Sequence, residues 1–299
     1  MKKIIFCGLS TALVTPFKNG EIDYNALEIL LEKQIDAQVQ AIVILGTTGE
    51  PATLGSLERE KIIEFTIKKV NGRAKVIVGC GSNSTEVAIK NYIQAEKMGA
   101  DGALIVTPYY NKCTQGGLVE HYKKISDSGA LPIIVYNVPA RTGVNVLPET
   151  MNKLCDIPNV CGLKEASGNI SQILEFFRLC EDKIAIYSGE DALNSIFMAL
   201  GGSGAISVAS NVYPKIFNKI IELGIKKEYE KMFILQKKVH KFITSLFLEV
   251  NPIPVKAGLE YLGLCKNEVR LPLTKMSKEN YDKLKSEIDV LIGLENDSL

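Results

Sequence analysis

Short apolar runs and longer amphipathic stretches alternate along most of the chain. The runs are Leu9–Thr15, Ala41–Leu45, Lys75–Cys80, Ala103–Thr107, Ile133–Tyr136, Val160–Lys164, Ile184–Tyr187 and Ala205–Val208. They are apolar throughout rather than at every second residue, as expected of parallel strands covered by helices. Between them, Leu27, Leu31 and Ile35 fall on one helical face, as do Ile63, Ile67 and Val70. The same holds for Ala88, Tyr92 and Ala95, and for Leu118, Tyr122 and Ile125. Ser56 and Ser84 stand as N-caps, with Glu58 and Glu86 in the following first turns. Eight β–α units in succession predict an α/β fold of the (β/α)8 barrel type. A doubly wound sheet usually carries Gly-x-Gly-x-x-Gly after its first strand, and the chain has none there.

The alternation stops near Lys226. Beyond it the pattern is helical only, over Lys226–Val250, Pro254–Leu262 and Ser277–Ile292. Asn251-Pro252-Ile253-Pro254 separates the first of these helices from the second. The division predicted is a catalytic barrel over residues 1–227 and a docked helical extension over residues 228–299.

Composition narrows the picture mainly by exclusion. The 299 residues are 46% hydrophobic and 23% charged, ordinary for a globular protein. A net charge of +1 with scattered Lys and Arg gives no footprint for nucleic acid or an anionic membrane. No apolar run approaches the ~18 residues of a membrane span. The opening Met1-Lys2-Lys3-Ile4-Ile5-Phe6 resembles the start of a signal peptide, but Ser10, Thr11, Thr15, Pro16 and Lys18 interrupt it. A cytoplasmic protein is expected. There are seven cysteines and no Cys-x-x-Cys; Cys7, Cys80 and Cys161 lie in apolar runs and are expected to be buried free thiols. His121 and His240, the only histidines, are far apart, which argues against structural zinc and histidine-based catalysis.

A barrel places its chemistry at the C-terminal ends of its strands. Here those ends carry Gly46-Thr47-Thr48-Gly49-Glu50, Pro108-Tyr109-Tyr110-Asn111, Tyr136-Asn137-Val138-Pro139-Ala140-Arg141, Lys164-Glu165 and Ser188-Gly189-Glu190-Asp191. An amine at a strand end, Lys164, allows carbonyl chemistry through a Schiff base, or simply reaches into solvent. The Gly-Thr-Thr-Gly turn suits a carboxylate, or else caps the next helix. Tyr136, one strand from Lys164, is either its acid–base partner or a core aromatic. Arg141 offers a planar fork for a carboxylate, or is an exposed loop residue. Asp191 reads as the N-cap of a helix starting at Ala192. Gly201-Gly202-Ser203-Gly204 precedes its strand, so it belongs to the opposite face and not to a phosphate site. Cys113 reads as an incidental thiol.

In these motifs and their order, from Gly8 to Arg270-Leu271-Pro272, the chain resembles the pyruvate-dependent class I aldolases of the N-acetylneuraminate lyase superfamily. Arg141 and the full Thr47-Thr48 pair favour the branch that joins pyruvate to aspartate 4-semialdehyde. Cys113, where the family often has proline, and Glu190, where it often has aspartate, are mild departures. The resemblance implies that Lys164 forms the imine with pyruvate and that Thr47, Tyr136 and Tyr110 relay protons, Tyr110 reaching in from a neighbouring subunit. It implies that Thr48 meets the pyruvate carboxylate and Arg141 the semialdehyde carboxylate, with Ile206 (through its backbone carbonyl) and Gly189 also at the substrates. It implies no cofactor and no metal, and a homo-oligomer, favouring a tetramer built as a dimer of dimers.

The resemblance also implies a regulatory pocket for lysine beside Asn83, Tyr109 and Arg59. Sensitive relatives place a glutamate where this chain has Val87, and Ser56 and Arg59 stand where they often have histidines. A lost carboxylate and an added guanidinium oppose a cationic ligand, so weak or absent inhibition by lysine is expected. Two other readings stay open on the residues: a pyruvate aldolase cleaving a sugar acid or hydroxy-oxo-acid, and a non-catalytic ligand-binding barrel.

Overall fold

A computed structural model describes residues 2–296. Met1 and residues 297–299, the outer ends of the two units drawn from sequence, lie outside the described residues. The eight barrel strands are β1 (Gly8–Ala12), β2 (Ala41–Ile44), β3 (Lys75–Gly79), β4 (Gly102–Val106), β5 (Ile133–Asn137), β6 (Val160–Glu165), β7 (Ala185–Ser188) and β8 (Gly204–Ser207), and a short antiparallel hairpin, Phe17–Lys18 with Glu21–Ile22, stands apart from them. The barrel strands all pair in parallel with their sequence neighbours, and β8 returns to β1, so the sheet closes. The (β/α)8 barrel expected from the pattern is the fold observed.

Helices α1 (Tyr24–Asp36), α2 (Ser56–Val70), α3 (Thr85–Lys97), α4 (Gln115–Ser126), α5 (Pro148–Leu154), α6 (Ile170–Cys180), α7 (Asn194–Ala199) and α8 (Pro214–Ile225) cover the barrel. The extension adds α9 (Tyr229–Ser245), α10 (Ile253–Tyr261) and α11 (Lys278–Asn296). It is tied back by specific bonds. Tyr213 Oη donates to the Ile288 carbonyl at 2.6 Å. Glu295 accepts from the backbone N–H groups of Lys215 and Ile216 at 3.2 and 3.1 Å, capping the otherwise unsatisfied start of α8. Among the described residues no helix is long and apolar enough to cross a membrane.

The N-terminal segment closes one end of the barrel. Phe6 stacks on Tyr187 at 4.4 Å between ring centroids, and Tyr187 Oη donates to the Phe6 carbonyl at 2.7 Å. The open end is therefore the one formed by the C-terminal ends of the strands.

Several local expectations change. Cys7 is exposed, not buried, because Phe6 takes the inward place and Gly8 turns the chain at φ +130 into β1. Strand β1 ends at Ala12 rather than Thr15, where the Asn211 amide takes over the backbone, accepting from Val14 N and donating to the Ala12 carbonyl. Ser56 is the first residue of α2 and Gly55 its N-cap; the cap is made by Glu58, whose carboxylate accepts from Gly55 N at 2.8 Å. Ser84 does occupy the N-cap of α3, without a side-chain bond to the first turn. Asp191 is no N-cap: its carboxylate accepts from Val208 N and Ala209 N, both at 2.9 Å, and so holds the loop after β8.

Candidate active site

The two central residues are fixed by strand register. Tyr136 on β5 pairs with Lys164 on β6, and both side chains point into the barrel mouth. Lys164 Nζ lies 4.2 Å from the Tyr136 ring centroid. Lys164 is 4% exposed. Burial pushes its ammonium down from 10.5 to about 8, with Arg141 adding to the push and Asp191 opposing it. Among the described residues no carboxylate pairs with it. The Tyr136 phenol is pushed up by burial, against the pull of Arg141 and of the neighbouring Thr47 hydroxyl.

Gly189, just past β7, packs against the same lysine. A Cβ there would lie 2.9 Å from Ala166 Cβ and 3.0 Å from both Lys164 Cγ and the Glu165 carbonyl. Glycine is the residue that lets the chain close on the lysine stem. Ile206 on β8 is fully buried inside the barrel.

Thr47, Thr48 and Gly49 form one 3-10 turn after β2, and Glu50 follows in the left-handed region at φ +53. That strained residue is pinned. Its buried carboxylate accepts from Lys256 Nζ and from Arg270 N, the latter at 3.1 Å. Lys256 belongs to α10, so the extension holds the turn that presents both threonines. Thr48 is buried, and its Oγ1 accepts from Asn251 Nδ2 at 3.0 Å.

Arg141 sits in a single helical turn, Pro139–Thr142, with Nη2 donating to the Asn251 carbonyl at 3.2 Å. Its loop is braced from below. Asn137 Nδ2 donates to Glu165 Oε2 at 2.8 Å and to Asn145 Oδ1 at 2.9 Å, and Asn137 Oδ1 accepts from Val146 N at 2.9 Å. The strand bearing the lysine and the loop bearing the arginine are thereby one hydrogen-bonded unit.

Tyr110 is apart from the rest. It is 89% exposed at φ +74. Tyr109, the preceding residue, is exposed too. The other residues of the expected regulatory pocket lie nearby: Arg59 Nη2 donates to the Gly79 carbonyl at 2.9 Å, and the Asn83 carbonyl accepts from Asn111 Nδ2 at 3.0 Å. Arg59 Nε is buried without a partner, and Val87 is exposed.

Sequence reasoning passed over Glu50, Asn251 and Lys256 as site-forming residues. An apolar run broken by a lone lysine at Lys256 was the available signal, since a lysine on a buried helical face requires a carboxylate.

A buried amine whose ammonium is brought down to about 8, with a phenol ring against it, makes a site for carbonyl condensation through an imine. Comparison with known proteins agrees. The model of the Dihydrodipicolinate synthetase family matches residues 5–291. The 4-hydroxy-tetrahydrodipicolinate synthase of Alkaliphilus oremlandii is 49% identical over 284 residues, spanning 95% of this chain and 98% of the relative. The crystal structure of dihydrodipicolinate synthase from Thermotoga maritima superposes with a TM-score of 0.94 at 46% identity, covering 95% of this chain and 98% of that one. A structure described as a monomeric dihydrodipicolinate synthase variant gives 0.93 at 45% identity, covering 99% and 98%.

Proposed function

The chain belongs to the dihydrodipicolinate synthetase family, and on that premise we propose that it condenses pyruvate with L-aspartate 4-semialdehyde to 4-hydroxy-tetrahydrodipicolinate, in lysine and diaminopimelate biosynthesis. The observation that carries this reading is Lys164, a buried amine brought to about 8 with no carboxylate partner among the described residues. Its neutral form attacks the keto carbon of pyruvate. The C–N bond forms, the oxygen leaves as water, and an iminium results. A methyl proton then departs to give an enamine. The enamine carbon adds to the aldehyde of the semialdehyde, whose own amine finally displaces Lys164 and closes the ring.

Tyr136 moves the protons at Lys164, and Thr47 connects it to the Tyr110 phenol of a second copy of this chain. The exposure of Tyr110 supports that arrangement. Thr48 holds the pyruvate carboxylate and Arg141 that of the semialdehyde, with Gly189 and the Ile206 carbonyl at the remaining wall. The lysine imine supplies the electron sink, so the chemistry calls for no cofactor. The enzyme works in the cytoplasm as a homo-oligomer, a tetramer built as a dimer of dimers being our preferred assembly. Arg59 and Val87 favour weak or absent inhibition by lysine; micromolar inhibition in a steady-state assay would contradict this.

The deciding experiment is borohydride reduction in the presence of pyruvate, followed by peptide mass analysis. A lactyl-sized addition on the Lys164 peptide is expected. An unmodified protein, or an adduct on another lysine, would overturn the mechanism. A labelled chain that ignores the semialdehyde but cleaves sugar acids would be a different pyruvate aldolase.

A further inference from the structure

Asn251 is the residue through which the helical extension touches both substrate-holding places of the rim. It lies just ahead of α10 and is 5% exposed. Its Nδ2 donates to Thr48 Oγ1 at 3.0 Å, and its backbone carbonyl accepts from Arg141 Nη2 at 3.2 Å. A hydroxyl oxygen that accepts from a fixed N–H has its own proton turned away from that donor. Among the described residues Thr48 Oγ1 donates to no acceptor.

The direction of the amide follows from its surroundings. As placed, the Asn251 side chain leaves only Oδ1 buried without a partner. Turned over, it would bury its whole NH2 group without an acceptor, the greater loss. The base beneath it is firm: α10 is anchored by Lys256, which pairs with Glu50 and donates to the Glu268 carbonyl at 2.8 Å.

We propose that Asn251 is a positioning residue that fixes Thr48 as a hydrogen-bond donor toward the pyruvate carboxylate, while its carbonyl sets the reach of Arg141. This rests on the roles given above to Thr48 and Arg141. The two tasks belong to different parts of the residue, so substitution separates them. Changing the side chain acts on pyruvate and leaves the backbone contact with Arg141 in place. An aspartate there accepts the Thr48 proton, reverses the hydroxyl and sets a negative charge beside the incoming carboxylate.

The test is steady-state kinetics with borohydride labelling on Asn251→Ala and Asn251→Asp, each with Thr48 intact and as Thr48→Val. For Asn251→Asp the pyruvate KM should rise by about tenfold or more, from a reversed donor and like-charge repulsion. For Asn251→Ala it should rise by roughly two- to fivefold, the scale of one hydrogen bond, because the freed hydroxyl still rotates into place. The semialdehyde KM of Asn251→Ala should change by less than about twofold, because its backbone carbonyl remains. In the Thr48→Val background Asn251→Ala should add nothing to the pyruvate KM. An unchanged pyruvate KM in Asn251→Ala, or the full effect persisting without the Thr48 hydroxyl, overturns the proposal. A uniform loss of kcat with KM preserved would mark a merely structural role and also overturns it. Should Asn251→Asp fail to fold, the Asn251→Ala cycle decides alone. Failure of the underlying reaction shows separately, as a wild-type Lys164 that pyruvate does not label.

Discussion

Lys164 and Lys256 share more than their burial. Each ammonium lies over an aromatic face, 4.2 Å from the Tyr136 centroid and 4.0 Å from that of Phe17. In each, burial pushes the ammonium down. They differ in what else the nitrogen meets. Lys256 spends its three donors on the Glu50 carboxylate, the Glu268 carbonyl and the Phe17 face. Lys164 has the Tyr136 face, a guanidinium in range and a carboxylate, Asp191, already engaged by two backbone N–H groups. The same residue type, buried in both places, is thus a fastener at the seam and, in the function we propose, the nucleophile at the rim. The partner set decides which, and burial alone is no sign of chemistry.

The sharpest way to break this comparison is Lys256→Met. Removing one member of a buried ion pair leaves Glu50 charged and unpaired, which costs about 3–5 kcal/mol. Urea unfolding should show that loss, and Glu50→Gln combined with Lys256→Met should recover much of it. Because Glu50 directly follows the Thr47–Gly49 turn, the surviving folded Lys256→Met enzyme should also hold pyruvate less well. A stability within error of wild type would mean the pair is not the fastener described.

The opposite sign is expected at the rim. The gap for Lys164 between 10.5 in the unfolded chain and about 8 in the fold corresponds to on the order of 3 kcal/mol. The sign is a cost: the unfolded chain binds the proton more tightly, so the penalty is full below pH 8 and is relieved as pH rises from 8 to 10.5. Lys164→Met should therefore abolish imine formation and raise stability near neutral pH by on the order of 3 kcal/mol, with the gain shrinking as pH climbs toward 10.5. A destabilised Lys164→Met protein would contradict the unpaired state of this amine.

Arg141→Ala sharpens the difference from another side. Losing a charge-assisted contact to an anionic substrate should weaken semialdehyde use by about 1.5–3 kcal/mol in kcat/KM. Pyruvate labelling should persist. Since Arg141 is also one of the groups holding the Lys164 ammonium down, its removal should move the amine upward. A variant with intact semialdehyde kinetics would remove the argument for that substrate.

What the chain declares locally and what it conceals divide along the same line. Lys164, Tyr136 and Thr47 are visible because strand periodicity locates strand ends, and a barrel assigns those ends to one face. Their grouping needs no knowledge of distant pairs beyond strand order. Lys256 and Glu50 are 206 residues apart, and no periodicity links them. Asn251 reads as a turn residue before Pro252, which it is, while its amide and carbonyl serve two loops from other parts of the chain. Asp191 shows the competition directly. The local signal for an N-cap was sound, but two N–H groups beyond β8 offered the carboxylate better partners. Cys7 failed for a related reason: an apolar run says that a segment is near the core, and the turn at Gly8 decides which residue faces it.

The smallest effect is also the most specific to Lys164. Imine formation needs the neutral amine, whose share rises about tenfold for each pH unit below its titration point and then levels, a difference of about 1.4 kcal/mol per unit. With the amine at about 8, the rate of borohydride-trapped adduct at limiting pyruvate should climb with unit slope through neutrality and flatten above pH 8. Two substitutions should displace that break in opposite directions. Arg141→Ala removes a cation that disfavours the ammonium, so the break moves to higher pH; Asp191→Asn removes the carboxylate that favours it, so the break moves lower. Lys256 is not among the groups that shift Lys164, so its substitution should leave the break where it is. A break near 10.5, the ordinary lysine value, would show that the rim does not lower this amine and that the two buried lysines differ in position only.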